Sequence, residues 1–163
     1  MGERPLWAPW RIEYVTSARD GGCLFCEGPA SGDDQAALLV ERGARCFSML
    51  NAFPYASGHL MIVPYRHVAE LEELDQGEQL DLLRLTRRAI AAMREQMNPA
   101  GFNIGLNLGR VAGAGFADHL HVHVVPRWEG DTNFMPVIAG TGVISEALDA
   151  TRQTLAEALK RAG

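Results

Sequence analysis

The sequence predicts an α+β domain built from an antiparallel sheet and two helices. Short apolar or alternating segments occur before residue 65 and again between residues 102 and 125, whereas two longer segments repeat apolar residues with a helical period. The strand segments follow one another in pairs, which favours antiparallel pairing over a βαβ array. A length of 163 residues and a hydrophobic content of 47% suit one domain. We expect a single domain over residues 1–163, divided into an N-terminal arm (1–22), a core (23–137) and a C-terminal helix region (138–163).

Composition limits the classes of partner. The formal net charge of −5 argues against a broad surface for duplex nucleic acid or for an anionic membrane. The aliphatic run LMIV, residues 60–63, is far too short to cross a bilayer. Two of the three cysteines form Cys23-x-x-Cys26, which suits a reducing compartment and a metal or redox role better than a disulfide framework. We therefore expect a cytoplasmic protein with no membrane partner and no duplex nucleic acid partner.

The first third of the chain predicts an arm followed by three strands. PLWAPWR, residues 5–11, contains two prolines and two tryptophans, so we expect a non-helical segment that lays its indoles on an apolar surface. Residues 37–40 and 44–50 have strand character with Gly43 between them, which indicates a hairpin. The stretch NAFPYASG interrupts the pattern, and HLMIVP, residues 59–64, predicts the third strand.

The two predicted helices carry clear signals. Asp75 and Glu78 have the spacing of a capping box, and Asn98-Pro99 should end the helix that follows. We expect the buried face of this helix to contain Leu83, Ile90, Met93 and Met97. A second amphipathic helix should begin at Ser145 and bury Leu148, Leu155 and Leu159. Between the helices, residues 102–108 and 119–125 predict two more strands joined by a long loop.

Three of the five histidines alternate with aliphatic residues in HLHVHVV, residues 119–125. In a strand, His119, His121 and His123 would share one face, which we expect to be solvated, while the aliphatic residues face the core. A single strand histidine is usually a hydrogen-bonded, half-buried residue, but three on one face favour catalysis by imidazole. The alternative is a metal held by all three rings. It is less favoured because rings spaced about 6.6 Å apart on a flat strand converge poorly on one ion.

A glycine-rich loop, GRVAGAG, occupies residues 109–115 just before these histidines. Such loops are commonest as simple turns. Small residues also allow backbone N–H groups to surround phosphate oxygens. Next to a nucleophilic imidazole, the loop therefore indicates transfer of a phosphoryl or nucleotidyl group.

HLHVHVV resembles the histidine triad signature of the HIT superfamily of nucleotide hydrolases and transferases. The resemblance extends through NAFPYASGHLMIVPYRH and GLNLGRVAGAG and covers roughly residues 23–137. With LWAPWR before it and PRWEGDTNF after it, the chain is most similar to the bacterial branch that resembles diadenosine tetraphosphate (Ap4A) phosphorylases. This resemblance implies a HIT-like fold, a homodimer and a nucleotide partner such as AMP, ATP or a dinucleoside polyphosphate.

The resemblance also implies roles for individual residues. His121 would attack the α-phosphorus of a dinucleoside polyphosphate and form a nucleotidyl-histidine, with no catalytic cofactor required. His119 and His123 would flank it, His123 as a phosphate-binding neighbour, and His59 would be a fourth histidine beside the triad. The implied nucleotide-binding residues are Asn51 for the ribose, Asn107 near the α-phosphate, Gly113 and Gly115 in the loop, and Leu24, Phe25 and Met49 around the base. An ordinary core role for the last three is equally compatible with their positions.

One departure from the family pattern keeps alternatives open. Gly115 and Phe116 stand where many members have Gln and then Ser or Thr, so the contact to the leaving group must come from elsewhere. The pattern therefore does not decide between hydrolysis and phosphorolysis. It also leaves open a nucleoside phosphoramidate hydrolase and a nucleotide-binding protein with little turnover.

Cys23-Leu24-Phe25-Cys26 supplies half of a zinc site. The resemblance implies that His67, in PYRH, and His119 complete a structural zinc site. The alternative is two buried cysteine thiols without a metal. Cys46 lies inside a strand pattern and should belong to the core, while Arg84, Arg87 and Arg88 should form a solvated face of the first long helix.

Overall fold

One antiparallel sheet organises the part of the chain that the computed structural model describes, residues 22–131 and 147–162. Its strands are β1 (Leu39–Arg42), β2 (Cys46–Leu50), β3 (Leu60–Pro64), β4 (Gly101–Leu106) and β5 (Val122–Arg127). Their order is β1-β2-β3-β5-β4, and every neighbouring pair is antiparallel. The helices are α1 (Leu24–Ala30), α2 (Gln76–Met97) and α3 (Leu148–Arg161), with short 3-10 helices at Leu71–Glu73 and Arg110–Ala112. The α+β class is confirmed, with α1 as a third helix that the sequence did not predict.

Several predicted features lie outside the described residues. They are the PLWAPWR segment with all of the arm except Gly22, the start of the last helix at Ser145, and most of the stretch between the core and that helix. Among the described residues, no helix is long and apolar enough to cross a membrane.

The sheet buries both of its faces, because side chains alternate along each strand. We name the side covered by α2 and α3 the helical face. It joins strand residues to both helices through Leu50, Leu60, Ile62, Val122, Val124, Leu85, Met93, Leu155 and Leu159. The opposite side, which we name the histidine face, is a smaller apolar cluster closed by Phe25 of α1. Its other buried members are Leu39, Phe47, Met49, Met61 and Val63.

The predicted hairpin is formed by β1 and β2 and is tied to α2 by Asp81. Gly43 closes the turn by donating its N–H to the Cys46 carbonyl, 2.8 Å away. The Asp81 carboxylate accepts hydrogen bonds from the backbone N–H groups of Arg45 (2.7 Å) and Cys46 (2.8 Å). A side chain at residue 43 would put its Cβ 2.7 Å from the same carboxylate, so this turn requires glycine. The hairpin and the long helix are therefore joined by one buried carboxylate.

Helix α2 begins and ends where the sequence predicts. The Asp75 carboxylate accepts from Glu78 N–H at 2.8 Å, and the Glu78 carboxylate accepts from Asp75 N–H at 2.9 Å, which completes the capping box. At the other end Asn98 adopts a left-handed conformation with φ of 46°, and Pro99 follows. The predicted buried face is wrong at Leu83, which is 62% exposed. The residues of α2 that are buried against the sheet are instead those of the adjacent stripe, Leu82, Leu85, Ala89, Ala92 and Met93. Ile90 and Met97 are partly buried beside them.

The arginine cluster of α2 is only partly solvated. Arg87 is exposed, but Arg88 pairs with Glu41 at 2.7 Å and donates to the Leu159 carbonyl at 2.7 Å. The last carbonyl groups of a helix have no partner within that helix, so a neighbouring guanidinium can satisfy them. Arg88 thus fastens the end of α3 to α2 and β1, and the prediction of a uniformly solvated face is wrong there.

The histidine strand is shorter than predicted. Strand β5 begins at Val122, which pairs with Ile62 of β3 and Leu106 of β4, and neither ladder extends to His121. Residues 119–121 therefore precede the sheet. The long hairpin connection between β4 and β5 is confirmed, although β4 itself runs from Gly101 to Leu106 rather than over residues 102–108.

We predict that Asp81→Asn lowers the free energy of unfolding at pH 7 by about 2 kcal/mol, because two backbone N–H groups lose a charged acceptor. Burial raises the pKa of Asp81, but its bonds to Arg45, Cys46 and Arg84 outweigh burial and bring the pKa below the ordinary 3.8. A carboxyl with a depressed folded pKa stabilises above its unfolded pKa. The difference between parent and variant should therefore shrink as the pH falls below about 3.8.

Urea unfolding between pH 3 and pH 8 measures this difference. Glu157→Gln is the matched control, because it makes the same charge change at an exposed residue whose contact is to Gln153. Equal stability loss in both variants, or a loss in Asp81→Asn that does not depend on pH, would show that the carboxylate does not join hairpin and helix.

Candidate functional site

The triad histidines lie beneath α1 and are not solvated as predicted. His119 is 1% exposed and His121 is 6% exposed, while His123 is partly exposed. The ring of Phe25 lies over the first two, with ring centroids 5.4 Å from His119 and 4.9 Å from His121. Phe116 packs edge-on against Phe25 at 5.3 Å. The prediction of a solvated face is wrong because α1 places the ring of Phe25 over the histidine face.

His121 has a defined tautomer. Its Nδ1 lies 2.9 Å from the main-chain carbonyl oxygen of His119. A carbonyl oxygen can only accept, so Nδ1 carries the hydrogen and donates it. In the neutral ring the lone pair therefore lies on Nε2. An imidazole nitrogen with a lone pair is a nucleophile, which makes Nε2 of His121 the candidate nucleophilic atom.

A second chain of hydrogen bonds sets the proton of His123. The backbone N–H of Tyr55 donates to Nδ1 of His59 at 3.1 Å, so His59 carries its hydrogen on Nε2. That Nε2 lies 2.9 Å from Nδ1 of His123, which must accept. His123 then carries its hydrogen on Nε2. The ring centroids of His121 and His123 are 4.9 Å apart. The candidate nucleophilic nitrogen therefore belongs to a ring next to one that can donate a hydrogen bond.

His59 is held firmly in this chain. It is completely buried, and the ring of Tyr55 stacks on it at 4.9 Å with an angle of 15° between the ring planes. Its position on the histidine face follows from the alternation of β3, where Met61 and Val63 point to the same side and Met61 pairs with His123. The fourth histidine that the sequence singled out therefore does lie beside the triad.

The two cysteines meet His67 and His119 in one cluster. One ligand atom from each of the four residues lies within 4.8 Å of all the others. Nδ1 of His119 is 3.2 Å from Sγ of Cys23 and 3.7 Å from Sγ of Cys26, and Nδ1 of His67 is 3.4 Å from Sγ of Cys26. A tetrahedral ion with metal–sulfur bonds of about 2.3 Å and metal–nitrogen bonds of about 2.1 Å needs sulfur and nitrogen about 3.6 Å apart. The four side chains thus have the spacing of a tetrahedral metal site.

Protonation in this cluster also suits a metal. Nε2 of His119 lies 2.9 Å from the Pro64 carbonyl and donates to it, so the lone pair of Nδ1 is directed at the cysteines. Burial lowers the pKa of His119, which favours the neutral ring that a metal needs. Burial is the main cause that raises the pKa of the Cys26 thiol, and the hydrogen bond and charge of neighbouring Cys23 raise it further. A bound cation reverses that shift, because thiolates bind metal ions as anions.

The alternative of a metal held by all three triad rings is not supported by this geometry. His119 faces the cysteines, His121 bonds through Nδ1 to a carbonyl, and His123 bonds through Nδ1 to His59. In the described ranges, the cysteine–histidine cluster is the one group of three or more such residues placed to share an ion. Cys46 is fully buried in the helical face, as predicted, and burial raises the pKa of its thiol to about 12.

Two asparagines lie at the edges of this site. Asn51 is 5% exposed, donates its backbone N–H to the His59 carbonyl at 2.9 Å, and accepts at Oδ1 from Phe53 N–H at 2.9 Å. Asn107 follows β4 on the same side as Gly105, which pairs with His123. Its Nδ2 lies 4.0 Å from the place that a Cβ of Gly113 would occupy. The structure therefore brings both predicted polar residues to the histidine face.

The predicted base-binding residues have mixed positions. Phe25 and Met49 are 0% and 3% exposed and belong to the apolar cluster of the histidine face, whereas Leu24 is partly exposed. Phe25 and Met49 are therefore core residues in this structure, which is the alternative that the sequence left open for them. Phe25 additionally contacts two triad histidines.

The glycine loop has two glycines that its backbone requires. Gly109 and Gly113 have φ of 76° and 88°, in the left-handed region that favours glycine, and they bracket the short 3-10 helix. Gly115 does not have a positive φ, and a Cβ there would meet no atom within 4 Å. The loop is thus built by Gly109 and Gly113, while Gly115 leaves open space beside it.

Four contributors to the site were not predicted. They are the Pro64 carbonyl, Tyr55, Met61 and Phe116. Met61 could have been found, because it alternates with His59 in HLMIVP. Main-chain carbonyl partners and an aromatic cover arise from tertiary packing and have no local sequence signal.

The site's family relationships agree with its geometry. Residues 34–130 match the family model described as HIT domain. The chain is 46% identical over 160 residues to a protein named AP-4-A phosphorylase from Mycobacterium tuberculosis, covering 93% of this chain and 82% of that protein. It is 31% identical over 105 residues to adenosine 5'-monophosphoramidase hnt1 of Schizosaccharomyces pombe, covering 64% and 74%.

Solved structures share the fold. A Zn-bound histidine triad family protein from Mycobacterium smegmatis superposes with a TM-score of 0.68 at 22% identity, covering 86% of this chain and 95% of that one. A hypothetical histidine triad nucleotide-binding protein from Sulfolobus tokodaii gives a TM-score of 0.69 at 23% identity, covering 85% and 93%.

We predict that Gly113→Ala lowers the free energy of unfolding by about 1 kcal/mol, because alanine is strained at a φ of 88°. Gly115→Ala is the matched control in the same loop and should change stability by less than about 0.5 kcal/mol, because its Cβ meets no neighbour. Thermal and urea unfolding measure both. Equal effects of the two substitutions would refute the assignment of Gly113 as the glycine that the loop backbone needs.

Proposed function

The chain belongs to the HIT domain family, and we propose on that basis that it is an enzyme that cleaves a dinucleoside polyphosphate such as Ap4A at the α-phosphorus. The observation that carries the proposal is the pair of hydrogen bonds that gives His121 a lone pair on Nε2 and gives neighbouring His123 a hydrogen on Nε2. A nucleophile beside a hydrogen-bond donor is what displacement at phosphorus requires.

The reaction proceeds in two displacements. Nε2 of His121 attacks the α-phosphorus, the phosphorus–oxygen bond to the remaining phosphate chain breaks, and the leaving phosphate takes the electron pair. The product on the enzyme is a nucleotidyl-histidine. Water or phosphate then attacks the same phosphorus, the phosphorus–nitrogen bond breaks, and His121 recovers its lone pair. Dividing one difficult displacement into two easier ones is the benefit of covalent catalysis.

Neighbouring groups stabilise the charge that develops on the phosphate oxygens. His123 donates through Nε2 and is kept in that tautomer by His59. In the glycine loop the N–H groups of Ala112, Gly113 and Ala114 bond to carbonyl groups of the loop itself, so the further donors are the N–H groups of the other loop residues. The open space at Gly115 allows a phosphate to approach the main chain there. Donors set in place before the reaction lose little energy to reorganisation. This arrangement supplies the contact that Gln and Ser or Thr provide in other family members.

We assign nucleotide contacts to the residues at the edges of the triad. Asn51 binds a ribose hydroxyl through its side-chain amide, and its bonds to His59 and Phe53 hold it in place. Asn107 binds near the α-phosphate, since it lies beside Gly113 on the triad side of the sheet. Leu24, together with Phe25 and Met49 behind it, forms the apolar side of the base site. We propose that residues 23–137 form the catalytic core of a single domain.

Phosphate rather than water is the better-supported acceptor in the second step. The Mycobacterium tuberculosis relative, 46% identical over most of both chains, is named a phosphorylase. With phosphate as acceptor, the products of Ap4A cleavage are ADP and ATP; with water they are AMP and ATP. Analysis of the nucleotides formed with and without added phosphate separates the two reactions.

A nucleoside phosphoramidase is the second candidate. The relative from Schizosaccharomyces pombe, 31% identical, is named an adenosine 5'-monophosphoramidase. The first displacement is the same, with an amine instead of a phosphate chain as leaving group. Rates measured on Ap4A and on adenosine 5'-phosphoramidate under the same conditions decide which leaving group the site prefers. Binding of AMP with no turnover of either substrate would indicate a nucleotide-binding protein.

We propose that the metal of the cysteine–histidine cluster is zinc. Cys23, Cys26, His67 and His119 offer two sulfurs and two nitrogens, the donor set of a closed structural zinc site. When bound, zinc supplies a rigid cross-link between α1, the PYRH turn and the segment before β5. The site needs reduced thiols, and Cys23 and Cys26 are free thiols in the structure, which supports a place in the cytoplasm.

We also propose that the protein is a homodimer. A groove of about 640 Å³ runs between α2 and β4, lined in part by Leu71, Leu74, Leu83, Ile104 and Leu106. Leu83 is 62% exposed and Ile104 is 49% exposed, and β4 is at the edge of the sheet. An exposed strand edge beside exposed apolar side chains favours pairing with a second copy through a twofold contact. This explains why α2 leaves Leu83 exposed beside the groove.

We predict that His121, and no other histidine, becomes nucleotidylated. A mixture of protein and Ap4A quenched in alkali, in which a phosphorus–imidazole bond survives, is digested and the modified peptide is located by mass spectrometry. His121→Ala should abolish the adduct and lower turnover by roughly a thousandfold or more. His123→Ala is the matched comparison and should slow the reaction while the adduct still forms. An adduct on His119 or His123, or full activity in His121→Ala, contradicts the mechanism.

We predict about one zinc ion per chain in protein purified without chelator, because two cysteines and two histidines surround one position. Cys26→Ser should lower the zinc content and the melting temperature together. Cys46→Ser is the matched control: it changes a buried core cysteine outside the cluster and should keep its zinc. Elemental analysis that finds no zinc in the parent, or equal zinc loss in both variants, rules the assignment out.

We predict that Leu83→Glu converts the dimer to a monomer, because it places a charge in an apolar contact. Val111→Glu is the control, since Val111 is completely exposed on the glycine loop and does not line the groove. Light scattering after gel filtration gives the mass of each. A monomeric parent, or a dimeric Leu83→Glu variant, excludes this groove as the dimer contact.

A further inference from the structure

Tyr55 is an exposed aromatic side chain at the edge of the triad. Its ring stacks on His59, with centroids 4.9 Å apart and an angle of 15° between the planes, and its centroid lies 6.4 Å from that of His123. The residue is nevertheless 50% exposed. Among the described residues, no other aromatic side chain is classed as exposed. The proposed mechanism uses the backbone N–H of Tyr55 but not the surface of its ring.

The loop that carries Tyr55 is closed on itself by hydrogen bonds. The backbone N–H of Asn51 donates to the His59 carbonyl at 2.9 Å, and the N–H of Phe53 donates to Oδ1 of Asn51 at 2.9 Å. The N–H of Tyr55 donates to Nδ1 of His59 at 3.1 Å, and the N–H of His59 donates to the Ala56 carbonyl at 3.1 Å. A ring that is already held in one place loses little conformational entropy when a ligand packs on it. Tyr55 is therefore a preorganised binding surface.

Aromatic side chains border the triad at both of its ends. Phe25 is completely buried and contacts His119 and His121. Tyr55 lies at the other end, beside His123, which is itself partly exposed. The Phe25 end is closed and belongs to the side that we assign to the base of the transferred nucleotide. The Tyr55 end is open to solvent, so a part of the substrate that extends out of the site can reach it.

Displacement at phosphorus directs the leaving group towards the open end. The attacking and leaving atoms lie roughly in line on either side of the phosphorus. His121 is only 6% exposed, so a leaving group opposite its ring points out of the site. In a dinucleoside polyphosphate that leaving group ends in a second nucleoside. Two ring spacings, 4.9 Å from His121 to His123 and 6.4 Å from His123 to Tyr55, separate the nucleophile from the exposed ring, and a chain of three phosphates can span them.

We infer that the ring of Tyr55 binds the second nucleobase of a dinucleoside polyphosphate, the base of the leaving nucleotide. A flat, neutral ring suits a nucleobase, because every base has a π-face that stacks on an aromatic side chain. Tyr55 is then a specificity-determining residue, which makes the enzyme prefer substrates with a base at both ends of the phosphate chain. The inference deepens the proposed function and rests on it for its meaning in catalysis.

Two substrates that differ only in the second nucleoside test this directly. Ap4A and adenosine 5'-tetraphosphate both transfer AMP to His121 with cleavage of the same phosphorus–oxygen bond. The leaving group is ATP from Ap4A and tripolyphosphate from adenosine 5'-tetraphosphate, and the parent should have the higher kcat/KM for Ap4A. Tyr55→Leu should lower the ratio of the two kcat/KM values by about five- to thirtyfold, as expected for loss of a base stacked on an aromatic ring. Tyr55→Trp should keep the parent's ratio.

The ratio separates binding of the second base from a structural role of Tyr55. Both variants keep the backbone N–H that holds His59, and any effect passed on through His59 lowers both rates alike. Tyr65→Leu is the matched control, because Tyr65 is a partly buried tyrosine of the same face that packs on Phe47 at 5.2 Å, and it should keep the parent's ratio. An unchanged ratio in Tyr55→Leu, including an equal loss on both substrates, overturns the inference.

Binding measurements on protein without the nucleophile keep the inference distinct from the proposed function. Calorimetry on the His121→Ala variant gives the Kd of each intact ligand, and Ap4A should bind more tightly than adenosine 5'-tetraphosphate. Adding Tyr55→Leu should weaken Ap4A binding by about five- to thirtyfold and weaken adenosine 5'-tetraphosphate binding much less. If the parent forms no nucleotidyl adduct but these affinities differ as expected, the proposed function fails and the second-base site stands. Equal affinity of the His121→Ala variant for both ligands overturns the inference, whether or not the parent turns over.

Discussion

The hydrogen bond from Nδ1 of His121 to the carbonyl of His119 is the interaction on which the chemistry proposed for this protein depends. It places the lone pair on Nε2, the atom that attacks phosphorus in the proposed mechanism. The bond is 2.9 Å long. The residue that accepts it, His119, is held by the Pro64 carbonyl on one side of its ring and by the cysteine pair on the other. The proposed mechanism therefore depends on contacts from several segments around the start of β5, although only one nitrogen reacts.

Because the histidines are buried, their ring nitrogens need hydrogen-bond partners within the protein. A polar group taken out of water costs free energy unless it finds a partner, and the cost grows if the group is charged. His59, His119 and His121 are each 6% exposed or less, and each has a hydrogen-bond partner that defines a proton position. The cover provided by Phe25 and Phe116 thus has two effects. It excludes water from His121, the proposed nucleophile, and it makes the hydrogen bonds of the rings stronger by lowering the local dielectric constant.

Local signals in the sequence predicted much of the fold, and tertiary contacts account for the errors. The capping box of Asp75 and Glu78 and the stop at Asn98-Pro99 are local, and α2 has the predicted limits. The buried stripe of α2 could not be chosen from periodicity alone, because Leu83 has the helical spacing of Ile90, Met93 and Met97 but lines the groove beside β4. Arg88 was assigned to solvent because its acceptors, Glu41 and the Leu159 carbonyl, are distant in sequence.

The same distinction holds for the site. Alternation in HLHVHVV correctly separated the imidazoles from the aliphatic residues of the helical face, and the family resemblance named four residues that the structure brings together as a metal cluster. Exposure of the imidazoles was predicted wrongly, since α1 comes from a part of the chain almost a hundred residues away. Tautomers could not be predicted at all. They depend on main-chain partners at Tyr55, Pro64 and His119, which a pattern of side-chain types does not contain.

The most direct test of the central claim is to determine which nitrogen of His121 carries phosphorus in the trapped intermediate. Protein labelled with nitrogen-15 in histidine is mixed with Ap4A, quenched in alkali, and examined for one-bond coupling between phosphorus and nitrogen. Because Nδ1 donates to the His119 carbonyl, the account predicts phosphorus on Nε2 of His121. Phosphorus on Nδ1 of His121, or on any other histidine, would contradict it.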